Sequence, residues 1–245
     1  MLHPAKHHKG IRIFYLAMAI QFLGMTTLAY ADDSAHEQER VTESGNVMKD
    51  LLNSSNGIPT KVLNTAECVI VLPNTKKAGF IVGGSYGRGV MTCRGGANFD
   101  GPWSAPSMME SSGASFGLQA GGQATDFVIL VMNDKGARAL MKGKLKLGGD
   151  ASVAAGPVGR DAEASTNASM SAEMLSYSRA RGVFAGLSLA GSTLKPDNGA
   201  NENLYGKKVT ATQIIADGAE PTPDSAKELL AVLDKASPKN LSAGK

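Results

Sequence analysis

The sequence predicts an α+β fold in which a curved, glycine-rich antiparallel sheet or barrel-like β-core is flanked by N- and C-terminal helices. Amphipathic helical patterns lie near both ends of the chain, and short apolar runs of strand length fill the middle. Between Gly79 and Gly191, 21 of 113 residues are glycine, far above the usual level of about 7%. The same segment keeps its valine, isoleucine, leucine and phenylalanine. Its glycines therefore indicate bends and close approach of backbones rather than low complexity.

The first 31 residues have the pattern of a secretory signal peptide. Basic residues within 3–12 precede an apolar run over 13–28, and Ala29-Tyr30-Ala31 forms a small-residue cleavage site. The apolar run is short for a membrane span and acidic residues follow it at once, with an uncleaved anchor as the alternative. We therefore expect cleavage near Ala31, a periplasmic or secreted protein, and a single domain over residues 32–240.

The charge balance argues against a nucleic-acid partner. The sequence has 25 Lys and Arg against 22 Asp and Glu, but Lys6, Lys9 and Arg12 lie in the leader. The remaining chain therefore has 22 basic and 22 acidic residues. Proteins that bind along nucleic acid usually have a basic excess or stripe.

Residues suited to nucleophilic catalysis or metal binding are scarce. Three of the four histidines lie in the leader, so only His36 remains beyond it. A Cys/His dyad, a Ser/His/Asp triad or a histidine-rich metal site cannot readily be assembled from the rest. A hydrolase that uses Asp126 or Glu110 is an alternative, but no motif brings these carboxylates together with a partner. We expect no enzymatic activity, no metal and no cofactor.

The helices are predicted from amphipathic periodicity and capping residues. The pattern predicts a long helix over 33–53, a short one over 61–65, and a third over 135–142. Near the C-terminus, residues 210–217 and 224–236 have the same kind of apolar stripe, the latter opening with a proline at its first turn.

The first strands are predicted around the two cysteines. Cys68–Leu72 is an apolar run that Pro73 ends, because proline cannot donate a ladder hydrogen bond. Residues 74–77 then predict a turn, and 78–91 predict a second and third strand. Cys68 and Cys93 would lie on the first and third strands and form a disulfide in an oxidising compartment, with two buried free thiols as the alternative.

The later strands are predicted from apolar runs and glycine content. Residues 112–124 form a glycine-rich strand, and 127–132 form a fully apolar central strand. Residues 171–179 and 183–194 complete the sheet, and 196–203 predict a polar loop.

A local surplus of basic residues is the candidate binding site. Five basic residues lie between 135 and 146 with only Asp134 against them, and two more fall in the predicted turn at 74–77. Each basic residue could contribute about 1 kcal/mol of binding free energy near acidic lipid. The alternative is that these residues simply form a solvated helix face and loop. The candidates are Lys76, Lys77, Lys135, Arg138, Lys142, Lys144 and Lys146.

Several short pieces in a fixed order resemble the SYLF domain family, a lipid-binding module also found in eukaryotic membrane-trafficking and actin-associated proteins. The resemblance covers roughly residues 35–233, and the segment 150–157 looks like the bacterial exported branch. The pieces that carry it include Ile58-Pro59, Lys77-Ala78-Gly79-Phe80, Gly83-Gly84-Ser85-Tyr86-Gly87-Arg88-Gly89, Gly117 to Gln123, and Leu204-Tyr205-Gly206.

The resemblance implies lipid binding without catalysis, with phosphoinositides as ligands of eukaryotic members and actin as a partner of some fungal ones. For an exported bacterial protein, anionic phospholipid is the natural substitute for both. We therefore expect a periplasmic, non-enzymatic protein that binds anionic phospholipid at a membrane surface, with acyl-chain capture inside the β-core as a variant. The alternative is a cell-envelope protein–protein interaction or structural protein with incidental lipid affinity.

Overall fold

The computed structural model describes residues 33–79, 82–116, 123–159, 171–180, 183–186 and 189–242. The predicted signal peptide lies outside these residues. The helices are α1 (33–53), α2 (Thr60–Leu63), α3 (Asp134–Lys142), α4 (Asn198–Tyr205), α5 (Ala211–Ile215) and α6 (Lys227–Ala236), the last preceded by a 3-10 turn at Asp224–Ala226. The strands are β1 (Cys68–Gly79), β2 (Val82–Cys93), β3 (Ser107–Phe116), β4 (Gln123–Val131), β5 (Leu145–Lys146), β6 (Val153–Ala155), β7 (Met174–Ala180), β8 (Val183–Gly186) and β9 (Ser192–Pro196).

The predicted fold class is confirmed: a curled sheet is flanked by helices from the N- and C-terminal parts of the chain. Within the described residues the strand order is β5-β9-β3-β2-β1-β4-β7-β6, and β8 pairs with β7. Neighbouring strands are antiparallel except for β6 and β7, which run parallel. The apolar run at 127–132 forms most of β4, which pairs with β1 and β7 as a central strand.

Both faces of the sheet carry a hydrophobic core. Along β1, Val69 and Val71 pack in one cluster with α1, α2 and α6, whereas Ile70 and Leu72 pack in a second cluster with α3 and α5. Side chains of a strand alternate between faces, so the all-apolar start of β1 is what a strand between two helix layers requires. We call these surfaces the α1 face and the α3 face.

The turn predicted at residues 74–77 is wrong, because β1 continues through Pro73 in a β-bulge. Lys76 lies five positions after Val71 on β1, whereas their β2 partners, Tyr86 and Val90, lie four positions apart. Asn74 has a φ of 49°, and the missing N–H of Pro73 is tolerated where the ladder is interrupted. Lys76 and Lys77 therefore lie within a strand rather than at the tip of a turn.

The disulfide is confirmed, but its strand assignment was wrong. Cys68 and Cys93 are direct register partners on the neighbouring strands β1 and β2, and both are fully buried. The bulge removes the predicted extra strand between them, which is why they face each other across one ladder. The alternative of two free thiols is excluded by this bond.

Two further predictions are corrected near the C-terminus. The segment predicted as one strand over 183–194 contains two strands, β8 and β9. The loop predicted at 196–203 contains α4, which begins at an Asp197 side chain that accepts a hydrogen bond from the Ala200 amide at 3.0 Å and ends at Gly206 with a φ of 71°. These are ordinary start and stop signals, and they outweigh the polar composition of the segment.

The segment after α6 is fastened to the end of the sheet that holds the disulfide. Arg94, at the end of β2, is fully buried, stacks 3.9 Å from the Trp103 ring and donates a hydrogen bond to the Ser237 carbonyl at 2.7 Å. Burial lowers the pKa of Arg94 to about 10, and the charges of Asp234 and Glu67 oppose this shift. The guanidinium thus remains charged at neutral pH and binds the carbonyl end of α6.

A buried carboxylate holds the last described residues. The Glu67 carboxylate accepts hydrogen bonds from the Asn240 amide, at 2.7 Å, and from the Ser242 hydroxyl. Burial raises the pKa of Glu67 above its ordinary value, and the two hydrogen bonds oppose that shift. We call these contacts, together with those of Arg94, the C-terminal clasp.

The bulge requires a glycine on β2, which gives a first prediction. A Cβ on Gly89 would lie 1.9 Å from the Val71 carbonyl oxygen, whereas a Cβ on Gly84 of the same strand meets nothing within 4 Å. Gly89→Ala should therefore lower the free energy of unfolding by about 3 kcal/mol, because backbone must move to relieve the overlap. Gly84→Ala, measured alongside in urea, should stay within about 0.5 kcal/mol of wild type. Equal effects of the two substitutions would contradict this account.

Loss of the disulfide should also cost stability. The bond closes a sequence separation of 25 residues, for which the loss of chain entropy in the unfolded state corresponds to about 3 kcal/mol. The Cys68→Ala/Cys93→Ala variant should therefore unfold in urea at a lower midpoint than oxidised wild type. Reductant should lower the wild-type midpoint similarly and leave the double variant unchanged. If reductant also shifts the urea midpoint of the double variant, the effect of reductant does not come from this disulfide.

Candidate functional site

Two of the predicted lipid-binding residues are engaged in packing α3. The Lys135 ammonium lies 3.4 Å from a Glu173 carboxylate oxygen. The Arg138 guanidinium donates to the Ala97 carbonyl at 2.6 Å, lies 3.6 Å from Asp134 and sits 5.2 Å from the centre of the Phe99 ring. These two cations therefore join α3 to the loop after β2 and to the start of β7.

The other half of the basic cluster is exposed. Lys142 is the last residue of α3, Lys144 lies in the connection that follows, and Lys146 is on β5. In the part of the chain that the structure describes, none of these three side chains forms an ion pair. Lys76 on β1 is likewise exposed and unpaired there, and the side chain of Lys77 lies outside the described residues.

Register places Lys76 and Lys146 in one line across the sheet. Lys76 pairs with Tyr86, Tyr86 with Ser112, Ser112 with Thr193, and Thr193 with Lys146. Directly paired residues point to the same face, and this line belongs to the α1 face because Tyr86 alternates in phase with Val90. The two lysines are four strand spacings apart, roughly 19 Å. We call these five residues the exposed row.

Tyr86 is the large apolar side chain of the exposed row. It is 48% exposed, which is high for a tyrosine in the middle of a sheet. Partial burial raises the pKa of Tyr86 above its ordinary value, and the charge of Glu110 adds to the effect. The phenol is therefore neutral at physiological pH and offers a ring with a polar tip.

A line of ion pairs separates the exposed row from the helix layer. Arg88 on β2 binds Asp197 at 2.7 Å and Glu37 of α1 at 3.2 Å. Burial disfavours the charge on Arg88, but the hydrogen bonds to Asp197 and the charge of Glu37 outweigh it and raise the pKa further above its ordinary value. Glu37 is almost fully buried and also binds Arg40. The N-terminal part of α1 is thereby fixed to β2 and α4.

A second arginine fixes the other end of α1. Arg179 on β7 binds Asp126 of β4 at 2.7 Å and also pairs with Asp50 of α1. Asp126 in turn accepts a hydrogen bond from the Asn74 amide in the bulge at 2.9 Å. On the same face, nearer the other edge of the sheet, Lys195 of β9 binds Glu110 of β3 at 2.8 Å. These pairs mark where the helices end and the open part of the α1 face begins.

A cleft lies at the edge of the sheet beside the exposed lysines. Its volume is about 340 Å³. It lies where α3, β9, α4 and the start of α5 meet, and we call it the edge cleft. Residues that line it are Lys142, Lys144, Lys195, Asn198, Thr210 and Thr212.

The sequence did not point to Tyr86 or Lys195 as members of a site. Tyr86 lies in a glycine-rich run, and only the pairing of β1 with β2, whose register the bulge shifts, brings it beside Lys76. Lys195 directly follows the strand predicted over 183–194 and has no basic neighbour in sequence. Only the pairing of β9 with β5 brings it beside Lys144.

Neither a metal centre nor a membrane-spanning helix is found in the described residues. Groups of three or more His, Cys, Asp or Glu side chains that could hold a metal ion do not occur among them. The helices that the structure describes are also too short or too polar to cross a bilayer.

The sequence matches a family model described as "Ysc84: Las17-binding protein actin regulator" over residues 112–236. The chain belongs to the Ysc84 family, which is the SYLF domain family. The family description names protein binding and actin regulation and no reaction. The resemblance predicted from sequence is therefore confirmed, as is its assignment to a binding and regulatory family.

Curated relatives are longer than this chain. An SH3 domain-containing protein of Schizosaccharomyces pombe is 38% identical over 189 residues, which cover 76% of this chain and 43% of the relative. Protein YSC84 of Saccharomyces cerevisiae is 37% identical over 180 residues, with coverages of 72% and 37%. The human SH3 domain-containing YSC84-like protein 1 is 36% identical over 188 residues, with coverages of 75% and 54%. The chain thus spans about half or less of the length of these relatives.

The ion pair of Arg88 should contribute measurably to stability. Arg88→Met removes the partner of the buried Glu37 and of Asp197, so we expect the free energy of unfolding to fall by about 2 kcal/mol, less than for a fully buried pair because Arg88 is partly exposed. Lys227→Met, which breaks an exposed pair with Asp224, serves as the control and should lower the free energy of unfolding far less, because water screens exposed ion pairs.

A double-mutant cycle isolates the interaction itself. Glu37→Gln combined with Arg88→Met should be less destabilising than the sum of the two single substitutions. Strict additivity in urea denaturation would show that Arg88 and Glu37 do not stabilise each other.

Proposed function

We propose that this protein is an exported, non-enzymatic member of the Ysc84 family that binds anionic phospholipid at a membrane surface. The binding surface is the exposed row, together with the free lysines at its β5 end. The single observation that carries the proposal is that Lys76 and Lys146, which form no ion pair within the described residues, lie on one open sheet face with a half-exposed tyrosine between them.

The charges of this face suit an acidic surface. Each lysine near anionic lipid contributes about 1 kcal/mol, and the effect falls off within a Debye length of about 10 Å at 0.1 M salt. Lys144 lies two residues before Lys146 at the same edge of the sheet, and Lys142 ends α3 beside it. Four such lysines would give weak, reversible and salt-sensitive binding.

The shape of the face also suits a membrane surface. Ser112 and Thr193 are small, and Gly84, next to the row on β2, has open space around its α-carbon. Tyr86 can therefore project beyond its neighbours. A tyrosine ring with one polar end is favoured at the level of lipid head groups, where its ring meets apolar atoms and its hydroxyl meets water.

A periplasmic or secreted location is part of the proposal. It is supported by the signal-peptide pattern of the first 31 residues. The Cys68–Cys93 disulfide supports it too, because disulfides persist in oxidising compartments and are rare in the cytosol.

Protein binding is the second candidate function. The observation that favours it is the family description, which names Las17 as a bound protein. On this alternative the exposed row contacts an envelope protein, and lipid affinity is incidental. The open part of the α1 face is then the interface, with Tyr86, a residue type enriched at such sites, at its centre.

Vesicle co-sedimentation distinguishes the two functions. The full chain should bind vesicles that contain phosphatidylglycerol and not vesicles of phosphatidylcholine alone, and added salt should weaken the binding. Lys76→Gln/Lys146→Gln should lower the partition coefficient roughly 30-fold at low salt, since two contributions of about 1 kcal/mol are lost.

The control keeps the same change of net charge on another surface. Lys235→Gln/Lys239→Gln alters exposed lysines on α6 and in the C-terminal segment, and its partition coefficient should change by about twofold or less. Equal losses for both double variants would contradict the assignment of the surface. Binding without preference for anionic vesicles would reject the lipid function. Cross-linking at Tyr86 to a defined envelope protein would then favour the second candidate.

A further inference from the structure

We infer that the edge cleft binds the phosphate ester of a small polyol. The inference rests on the proposed function and deepens it by naming a head-group site apart from the exposed row. The chemistry of the cleft also supports the inference, because the residues that line the cleft differ from the ion-paired residues beside it.

The charge of the cleft is strongly positive. Three lysines line it, and its lining residues within the described chain include no carboxylate. Lys195 is bound to Glu110, whose hydrogen bond and charge raise the pKa of Lys195 above its ordinary value, so this ammonium stays protonated. Lys142 and Lys144 remain without a counter-charge among the described residues, which leaves two positive charges for an anion.

The neutral groups of the cleft can bind hydroxyls. Thr212 donates its hydroxyl to the Met141 carbonyl at 3.3 Å, and Thr210 uses its hydroxyl in the capping box of α5. Each hydroxyl oxygen has two lone pairs, so both threonines can still accept a hydrogen bond from a ligand. The amide of Asn198 adds a group that can both donate and accept.

The size of the cleft fits a small ligand. A volume of about 340 Å³ corresponds to roughly eleven water molecules at about 30 Å³ each, at the lower end of ligand pockets. A phosphate with a glycerol-sized polyol fits this space. The lining residues among those described include no aromatic ring on which a nucleobase could stack, so the cleft does not suit a nucleotide.

A lipid head group and a soluble sugar or glycerol phosphate share this chemistry. Lys144 of the cleft lies two residues before Lys146, the end of the exposed row, so head groups of a membrane that contacts the row lie within reach of the cleft. Surface charge alone would not distinguish two lipids of equal charge. A cleft with hydroxyl-binding groups would favour the lipid whose head group carries a polyol.

The test combines a soluble probe with two kinds of anionic vesicle. Titration calorimetry of the full chain with glycerol 3-phosphate should show saturable binding, and glycerol alone should not bind. Lys142→Gln/Lys144→Gln should weaken the binding of glycerol 3-phosphate by about tenfold or more, because two charge-assisted hydrogen bonds are lost. Lys235→Gln/Lys239→Gln should leave it unchanged.

In vesicles, wild type should prefer phosphatidylglycerol to phosphatidylserine at equal surface charge, and glycerol 3-phosphate should reduce that preference. The Lys142→Gln/Lys144→Gln variant should lose the preference while it keeps charge-dependent binding through Lys76 and Lys146. All four positions are exposed, so the variants should fold normally, which circular dichroism and the urea midpoint verify.

The outcomes separate the cleft from the lipid function. Binding to anionic vesicles without lipid preference, together with no binding of glycerol 3-phosphate, would overturn the cleft and leave the lipid function intact. Lysine-dependent binding of glycerol 3-phosphate without vesicle binding would support the cleft, identify a soluble ester as its ligand and reject the lipid function. Glycerol 3-phosphate binding that Lys142→Gln/Lys144→Gln does not weaken would also overturn the assignment.

Discussion

The β-bulge at Pro73–Thr75 determines which side of the sheet each later residue of β1 faces. The bulge adds one residue to β1 against both of its partner strands, β2 and β4. In a regular strand, even-numbered residues after Leu72 would point to the α3 face, because side chains alternate with a period of two. The extra residue reverses this parity and brings Lys76 to the α1 face beside Tyr86. Lys76 lies in the exposed row, and so in the proposed binding surface, only because of this one insertion.

Much of the architecture could be predicted from local sequence, and the errors have physical reasons. The amphipathic periodicity of residues 33–53 predicts the helix α1, and the apolar run at 127–132 predicts the strand β4. Both patterns are visible in the local sequence because each element packs against a hydrophobic core. The sequence predicts that Pro73 ends a strand, because proline has no N–H to donate. A bulge accommodates the missing donor equally well, so the strand continues. The hydrogen bond from Arg138 to the Ala97 carbonyl could not be predicted, since the two residues lie 41 positions apart in sequence. The cleft depends on β9 and α3 meeting, which no local signal indicates.

The described basic residues divide by type between structure and surface. Arg40, Arg88, Arg94 and Arg179 bind carboxylates or carbonyls in the interior or at its boundary. The lysines of the proposed surface are exposed and unpaired. The planar guanidinium suits fixed, partly buried pairs, and the flexible, strongly hydrated ammonium suits a fluid surface of head groups. The near-neutral charge of the chain beyond residue 31 is therefore compatible with the proposed binding surface, because most of the described arginines are paired within the fold.

The C-terminal clasp sets the direction in which the molecule can be tethered. It holds residues 237–242 beside Glu67, at the start of β1, whereas Lys76 lies nine residues further along that strand, roughly 30 Å away. A linker attached after residue 242 would therefore leave from the pole opposite the exposed row. A protein immobilised through such a linker would present Tyr86 and its lysines outward. Attachment through α1 would instead crowd the face that carries them.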